Sequence, residues 1–353
     1  MVLVQCNVHN GKTMKTALIT GIRGQDGAYL AQLLLQKGYK VIGTDRKSRE
    51  SSSWRLKEAA IENQIEFTTM DLLDLSNIMQ VLEKVKPDEI YNLAAQSYVG
   101  ASFDQAILTY DVNAMGTIRL LETIRKVNPE IKYYQASSSE MFGKVQAIPQ
   151  SETTAFHPRS PYGVSKVSSH WMTVNYRESY NMFTCSGILF NHESPFRGID
   201  FVTRKITDAV ARIELGKQEK VTLGNLDAKR DWGYARDYVE AMWLMLQAET
   251  PEDYVVATGV TRTIKEFVEK AFSVVHVDLE WEGEGVDKKG RDVKTGNIVV
   301  DISKDYFRPA EVDLVVGDAS KAKENLGWSA KKDLNDVITM MVEADLRRVK
   351  EQS

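Results

Sequence analysis

The sequence predicts an α/β fold, a doubly wound parallel sheet followed by a smaller α/β lobe, and three observations carry that prediction. Short apolar runs alternate with amphipathic helical stretches through the first half of the chain. Three glycines sit at the first junction between such a run and such a stretch. After about residue 190 the alternation gives way to short segments, turns and charge clusters such as "GNLDAKRDWG", "WEGEGVDKKGRD" and "YFRPAEVD".

The first strand is "TALIT" at 16–20. A helix follows from Asp26 to Lys37, because Tyr29, Leu30, Leu33 and Leu34 fall on one face and Gly38 supplies its stop. "KVIGTD" (40–45), "IEFTTMD" (65–71) and "EIYNLAA" (89–95) read as the next three strands, and "KYYQASS" (132–138) and "TCSGILF" (184–190) as the fifth and sixth. Strands separated by helices of this length imply right-handed crossovers and parallel pairing. The expected organisation is an N-terminal extension at 1–13, a Rossmann-type dinucleotide domain at 14–190, and a lobe at 191–353 that mainly binds substrate, with some segments returning to the first domain. In such folds ligands lie at the carboxyl ends of the strands, so a cleft between the lobes is the expected site.

Composition narrows the function. The 353 residues carry 27% charged side chains and a net charge of −4. That balance disfavours whole-surface nucleic-acid binding, which needs a basic footprint. The two cysteines, Cys6 and Cys185, read as reduced thiols rather than as a disulfide framework. Five histidines show no metal-ligand spacing, so no metal is expected. The apolar runs "VLV" near the start and "AMWLML" at 241–246 are too short for a signal-peptide core or a membrane span. A cytoplasmic protein with no membrane partner is the expectation.

The stretch "TGIRGQDG" (20–27) lies between strand and helix, the context that gives a glycine motif meaning. Gly21 permits the tight turn, Gly24 lets a pyrophosphate approach the backbone, and Gly27 lets the helix pack against the sheet. The N–H groups at the helix start then face the anion. Asp45 and Arg46 stand at the end of the second strand, where the adenosine ribose is read. An acid there favours the free hydroxyl of NAD and an arginine the 2′-phosphate of NADP. Both are present, and Lys47 and Arg49 tilt the reading toward NADP.

"SPYGVSK" (160–166) places Tyr162 and Lys166 four apart, on one face of a helix. An ammonium near the phenol stabilises phenolate, which is expected to lower the tyrosine pKa and make it a base for a hydroxyl proton. A solvated helix face is the plainer alternative. "ASSSEMFG" (136–143) sits where the fifth strand ends, and Ser138 and Glu140 point the same way along an extended chain. Ser138 could share the proton of a substrate alcohol with Tyr162. Glu140 reads either as a surface glutamate or as a carboxylate that takes a proton beside a newly made ketone.

With those residues assembled, the chain resembles the extended short-chain dehydrogenase/reductase superfamily and, within it, the family of GDP-mannose 4,6-dehydratases. The resemblance runs from about Lys15 to about Met341 and rests on "GQDGAYLA", "NLAAQS", "YQASSSEMFGKVQ", "RSPYGVSK", "GILFNHESP", "FVTRKI", "LGNLDAKRDWG", "DYVEAMWLMLQ" and "RPAEVD". It implies that Tyr162 and Lys166 are base and partner, that Ser138 is the helping hydroxyl, and that Glu140 is the dehydratase carboxylate. Ser139 stands where relatives acting on dTDP-glucose carry an aspartate, so Glu140 serves as both base and acid.

For the cofactor, NADP, the resemblance implies contacts from Gly21, Arg23, Gly24, Gln25, Asp26 and Gly27, from Arg46 with Lys47, and from Asp71 and Leu72. Leu93, Ala94, Ala95 and Ser97, then Tyr162, Lys166, His192 and Arg197, complete that set. For the substrate, GDP-mannose, it implies Ser97, Asn191, Lys205, Arg230, Arg308 and Glu311, with the arginines suited to a diphosphate because a guanidinium grips two oxygens at once. The segment 45–56 resembles a loop that pairs subunits, which implies a homodimer or homotetramer.

Three positions depart from the family pattern. Arg23 replaces a threonine in the glycine turn, Asp45 precedes the basic pair, and Phe196 replaces the first arginine of "SPRRG". The expected reaction is an internal redox loss of water. A sugar-nucleotide 4-epimerase would need no Glu140, a 4-keto-sugar reductase would consume NADPH, and a nucleotide-sensing module would turn nothing over.

Overall fold

The computed structural model describes residues 8–9, 12–46, 53–306 and 314–352. Its first half supplies strands β1 (Thr16–Thr20), β2 (Lys40–Asp45), β3 (Glu66–Thr69), β4 (Glu89–Asn92), β5 (Lys132–Ser138) and β6 (Thr184–Leu189). Downstream come β7 (Asn191–Glu193), β8 (Val221–Leu223), β9 (Lys229–Tyr234), β10 (Tyr254–Val256), β11 (Thr261–Thr263), β12 (Leu279–Glu282), β13 (Lys289–Asp292) and β14 (Ile298–Ile302). The principal helices are α1 (Gln25–Gln36), α2 (Leu75–Val85), α3 (Gly116–Val127), α4 (Pro161–Tyr180), α5 (Val202–Glu214), α6 (Ala235–Gln247), α7 (Ile264–Val274) and α8 (Leu334–Glu351).

Seven strands form one parallel sheet in the order β10-β6-β5-β4-β1-β2-β3. Helices cover both faces. Tyr29, Leu30 and Leu34 of α1 pack with Val239, Met242 and Leu246 of α6 on one side. Ile78, Val81 and Leu82 of α2 pack with Leu120, Leu121 and Ile124 of α3 on the other. Each fully buried aliphatic side chain contributes about 1.5–3 kcal/mol, so two such layers hold the sheet between them. The order of the strands reverses between β1 and β4, and that switch point opens a crevice at their carboxyl ends.

The seventh strand, β10, and the helix α6 belong to the second half of the sequence yet complete the first sheet. The fourth strand stops at Asn92, short of the expected Ala95, because the Thr20 hydroxyl captures the N–H groups of Leu93 and Ala94, each at 3.0 Å. Those N–H groups are thereby lost to the sheet ladder.

The second lobe has a four-stranded sheet, β8-β14-β13-β12, packed under α5, α7 and α8 through Ile206, Val210, Phe267, Phe272, Val337 and Met341. A smaller sheet, β11-β9-β7, joins the lobes. One residue after β6 ends, the chain enters β7, where Asn191 pairs with Trp232 and His192 with Gly233 of β9. This continuity fixes the second lobe's charged strand against the carboxyl edge of the main sheet.

Candidate active site

Parallel pairing brings the carboxyl ends of β1, β2, β4, β5 and β6 to one edge. At that edge Gly21 adopts φ +69°, and a Cβ there would lie 2.9 Å from the Ala94 nitrogen. A Cβ on Gly27 would run into the Gly21 carbonyl and Ile22. The turn is therefore closed to side chains on its inner side and wrapped tightly on helix α1. Gly24 is the N-cap of α1 and provides no side-chain cap, so the first-turn N–H groups remain available to an anion. The turn fits a pyrophosphate.

Arg46 is exposed at the end of β2. Asp71 caps the turn after β3, accepting from the Leu73 N–H at 3.0 Å, and Leu72 packs inward. Leu93, Ala94 and Ala95 are half-buried along the crevice and Ser97 is exposed. Arg308 and Glu311 lie outside the described residues.

The catalytic candidates converge. Ser160 caps α4 by accepting from the Gly163 N–H at 3.0 Å, with Pro161 in the first turn, and this presents Tyr162 and Lys166 toward the end of β5. The Ser138 hydroxyl acts on the Tyr162 phenol and favours its ionised form. The same hydroxyl accepts from the Glu140 N–H at 3.2 Å, which fixes the short helical turn carrying the carboxylate. Lys166 Nζ donates to the Ala136 carbonyl at 2.8 Å and lies 5.8 Å from the centre of the Tyr162 ring.

The acid–base state differs from the expectation of a lowered tyrosine pKa. Burial pushes Tyr162 up to about 12, the Ser138 hydroxyl opposes it, and the charge of Glu140 raises it further. Lys166, turned to the Ala136 carbonyl, is itself desolvated. Its own ammonium is driven down to about 8 by burial. A desolvated cation held on a carbonyl oxygen is 4% exposed and cannot outweigh the desolvation of the phenol beside it.

Glu140 shares a small cleft with Ser139, Asn191, Arg230 and Val315. The catalytic carboxylate candidate thus meets two of the substrate candidates. Arg230 is held on β9, next to Asp231, whose carboxylate accepts from Thr258 N, Thr258 Oγ1, Gly259 N and Gly317 N at 2.6–3.3 Å. Lys205 does not line this cleft; its ammonium lies 3.6 Å from the centre of the Tyr306 ring.

Gln25, Asp26, His192 and Arg197 form a group between the lobes. His192 Nε2 lies 2.9 Å from Asp26 Oδ2 and its Nδ1 lies 2.7 Å from the Phe190 carbonyl. Gln25 donates to the His192 carbonyl at 3.0 Å and accepts from Ser194 Oγ at 2.7 Å. Burial alone would push the His192 pKa down, but the Asp26 carboxylate lifts it above the ordinary value. Burial likewise works against the Asp26 carboxylate, and the His192 charge holds it below the ordinary value all the same. Arg197 pairs with Glu193 at 3.1 Å.

Sequence reading missed three supports. The Ala136 carbonyl that anchors Lys166 is backbone and leaves no signature. Asp231 was visible only as a charge in "AKRDWG". Phe196, one of the departures, stacks on Tyr29 at 4.6 Å and meets Trp54 edge-on at 5.7 Å, while its carbonyl accepts from Arg55 Nε at 2.6 Å. An aromatic in place of an arginine thus binds the second lobe to α1.

Comparison with known proteins gives a consistent result. The family model described as GDP-mannose 4,6 dehydratase matches residues 18–341. The GDP-mannose 4,6 dehydratase of Cricetulus griseus is 51% identical over 344 residues, covering 95% of this chain and 92% of that protein. Among solved structures, the dTDP-glucose 4,6-dehydratase of Bacillus anthracis in complex with NAD superposes with a TM-score of 0.78 at 21% identity, covering 95% of this chain and 98% of that one. RMD of Pseudomonas aeruginosa complexed with NADPH gives 0.75 at 22% identity, covering 95% and 98%. At those identities the two structures are similar in fold.

Proposed function

Because the chain belongs to the family of GDP-mannose 4,6-dehydratases, a family of hydro-lyases, we propose how its own residues divide the work of removing water from GDP-mannose. The observation that carries this division is the cleft in which Glu140 meets Asn191 and Arg230 at the edge where Tyr162 and Ser138 lie.

Tyr162, as the phenolate that the positive charge of a bound oxidised nicotinamide would favour against its raised pKa, takes the C4 hydroxyl proton, with Ser138 sharing it. A nicotinamide cofactor bound along the glycine turn supplies the hydride acceptor for C4 and the donor for C6. The C4 ketone acidifies the C5 hydrogen, which a hydroxyl could not do. Glu140 removes that proton and delivers one to the departing C6 hydroxyl, since Ser139 beside it cannot act as an acid. A proton then returns to C5, and the product is GDP-4-dehydro-6-deoxymannose. Lys166 keeps positive charge at the bottom of the site through Ala136.

Arg46, together with the positive charge that follows it, supports NADP as the cofactor. Asn191, Lys205 and Arg230 take the GDP-sugar, with Arg308 and Glu311 assigned to the same ligand. On this reading residues 14–190 form mainly the cofactor lobe and 191–353 mainly the substrate lobe. Cys185 is a buried free thiol, and no helix among the described residues is long and apolar enough to cross a membrane; the thiol supports a reducing, cytoplasmic setting. Phe103, Ile107, Leu108, Tyr110, Val164 and Trp171 are exposed on α4 and the short helices 99–104 and 106–110 that pack beside it. Such an apolar face supports a homodimer or homotetramer that pairs there.

The test is mass spectrometry of GDP-mannose incubated with the protein and catalytic NADP⁺. A product lighter by one water is expected. In Glu140→Gln, C4 oxidation persists and elimination stops, so reduced nicotinamide accumulates in absorbance. Unchanged mass with a changed sugar configuration would instead establish an epimerase, and full turnover by Glu140→Gln would remove the carboxylate from the mechanism.

A further inference from the structure

Two of the departures from the family pattern, Arg23 and Asp45, meet each other. Arg23 lies in the glycine turn and Asp45 ends β2, and Arg23 Nε stands 2.5 Å from Asp45 Oδ2. The Arg23 guanidinium also lies over the Phe67 ring on β3, 4.8 Å from its centre. Its backbone carbonyl accepts from Arg55 Nη1 at 3.1 Å. Ion pair, aromatic plate and anchored backbone together orient one planar fork at the place where the adenosine ribose of a dinucleotide is read. The two Nη atoms of that fork have no partner among the described residues.

The charges around it favour an anion. Arg55 donates to two carbonyls, those of Phe196 and Arg23, and forms no ion pair among the described residues. Burial pushes its pKa down to about 10, and the nearby charges of Arg204 and Arg348 add to that. Arg55, Arg204 and Arg348 all lie against the Trp54 ring, within 4.5–5.7 Å of its centre; Arg204 and Arg348 are ion-paired with Asp345 and Glu58, so Arg55 is the cation of the three that has no carboxylate partner among the described residues. A carboxylate at the end of β2 would by itself accept the ribose hydroxyl of NAD and repel a phosphate. Here that carboxylate is covered by Arg23. Both partners are about one-fifth to one-quarter exposed, so water screens the pair and its exchange for a better anion is cheap. A phosphate offers more acceptor oxygens and more charge than the carboxylate does.

We propose that Arg23 is the specificity-determining residue for the 2′-phosphate of NADP, exchanging its pair with Asp45 for the phosphate when the nucleotide binds. The inference rests on the NADP reading above and names the side chain that would enforce it. Asp45 is then a placeholder for the phosphate rather than a reader of the ribose.

The test is the ratio of dissociation constants for NAD⁺ and NADP⁺, measured by calorimetric titration of the full chain at fixed ionic strength. Arg23→Thr, the residue usual in the family, should lower the preference for NADP⁺ by about tenfold or more, the scale of one lost charge-assisted hydrogen bond. Arg23→Lys should retain part of it, as a point charge without the fork. Asp45→Asn should strengthen NADP⁺ binding more in the Arg23→Thr background than in the wild type, because Arg23 no longer shields the carboxylate. A ratio in Arg23→Thr within about twofold of wild type would overturn the proposal, and so would an equal loss of both cofactors, which would make Arg23 a structural part of the turn. Wild-type protein that binds NAD⁺ as tightly as NADP⁺ would overturn the NADP reading itself, a separate outcome.

Discussion

The two walls of the cleft are made of different material. The wall at β1, β2 and β4 is mostly backbone: a glycine at φ +69°, an uncapped helix start and the chain at Leu93 and Ala94, held on the Thr20 hydroxyl. The wall at β7 and β9 is made of side chains, Asn191, Arg230 and Asp231, each placed by contacts from distant parts of the chain. Tyr162, Ser138 and Glu140 lie at the seam. A backbone wall fails when atoms are added, whereas a side-chain wall fails when one group is removed.

The largest effect is expected at the seam. Tyr162→Phe removes the proposed base and leaves both walls intact, so kcat should fall by about 10²–10⁴-fold while binding of cofactor and GDP-mannose persists. Loss of binding along with kcat would place Tyr162 in a wall and break the comparison. Gly21→Ala tests the backbone wall. With positive φ and a Cβ 2.9 Å from the Ala94 nitrogen, the variant should lose about 1–3 kcal/mol of stability in denaturant unfolding and bind cofactor weakly. If it binds cofactor as wild type does, the turn is not the grip it is taken to be.

Arg230→Lys tests the side-chain wall and should act more narrowly. The charge remains and the two-pronged geometry is lost, so KM for GDP-mannose should rise by about tenfold, with cofactor affinity unchanged. A change in cofactor affinity instead would mean that the two walls are coupled through β7. The contrast sharpens if Gly21→Ala and Arg230→Lys combine additively, since the contacts of the two share no partner among the described residues.

The same contrast explains what the sequence made legible. Strand–glycine–helix order, the Tyr162–Lys166 spacing and the serine-rich end of β5 are local, and local patterns survive in one dimension. The parallel sheet followed from alternation, and its six upstream strands stand where the apolar runs stand. The seventh strand, Tyr254–Val256, did not, because nothing in "YVV" says which sheet it joins. The pKa of Tyr162 was misjudged for a related reason: spacing places a lysine near a phenol, but only the packed structure shows Lys166 turned to Ala136 and the phenol desolvated. Asp231, gripped by residues 27 to 86 positions away, is a purely tertiary fact.

The smallest expected effect tests whether the walls are joined. Asp26 starts the backbone wall and His192 lies on β7, and both His192 nitrogens face oxygen acceptors, so only the imidazolium satisfies both. The folded pKa of His192 is raised above 6.5, so its contribution is complete below that value and is lost as pH rises through the raised one. The folded pKa of Asp26 is held below 3.8, so its contribution is present above that value and is lost as pH falls through the lowered one. Asp26→Asn should therefore cost about 1 kcal/mol, and the difference from wild type should be greatest between those limits and shrink toward alkaline pH. Denaturant unfolding of both proteins across that range measures it. A difference independent of pH would mean that Asp26 holds the walls together as a neutral hydrogen-bond acceptor, and that the charge on His192 contributes nothing to the seam.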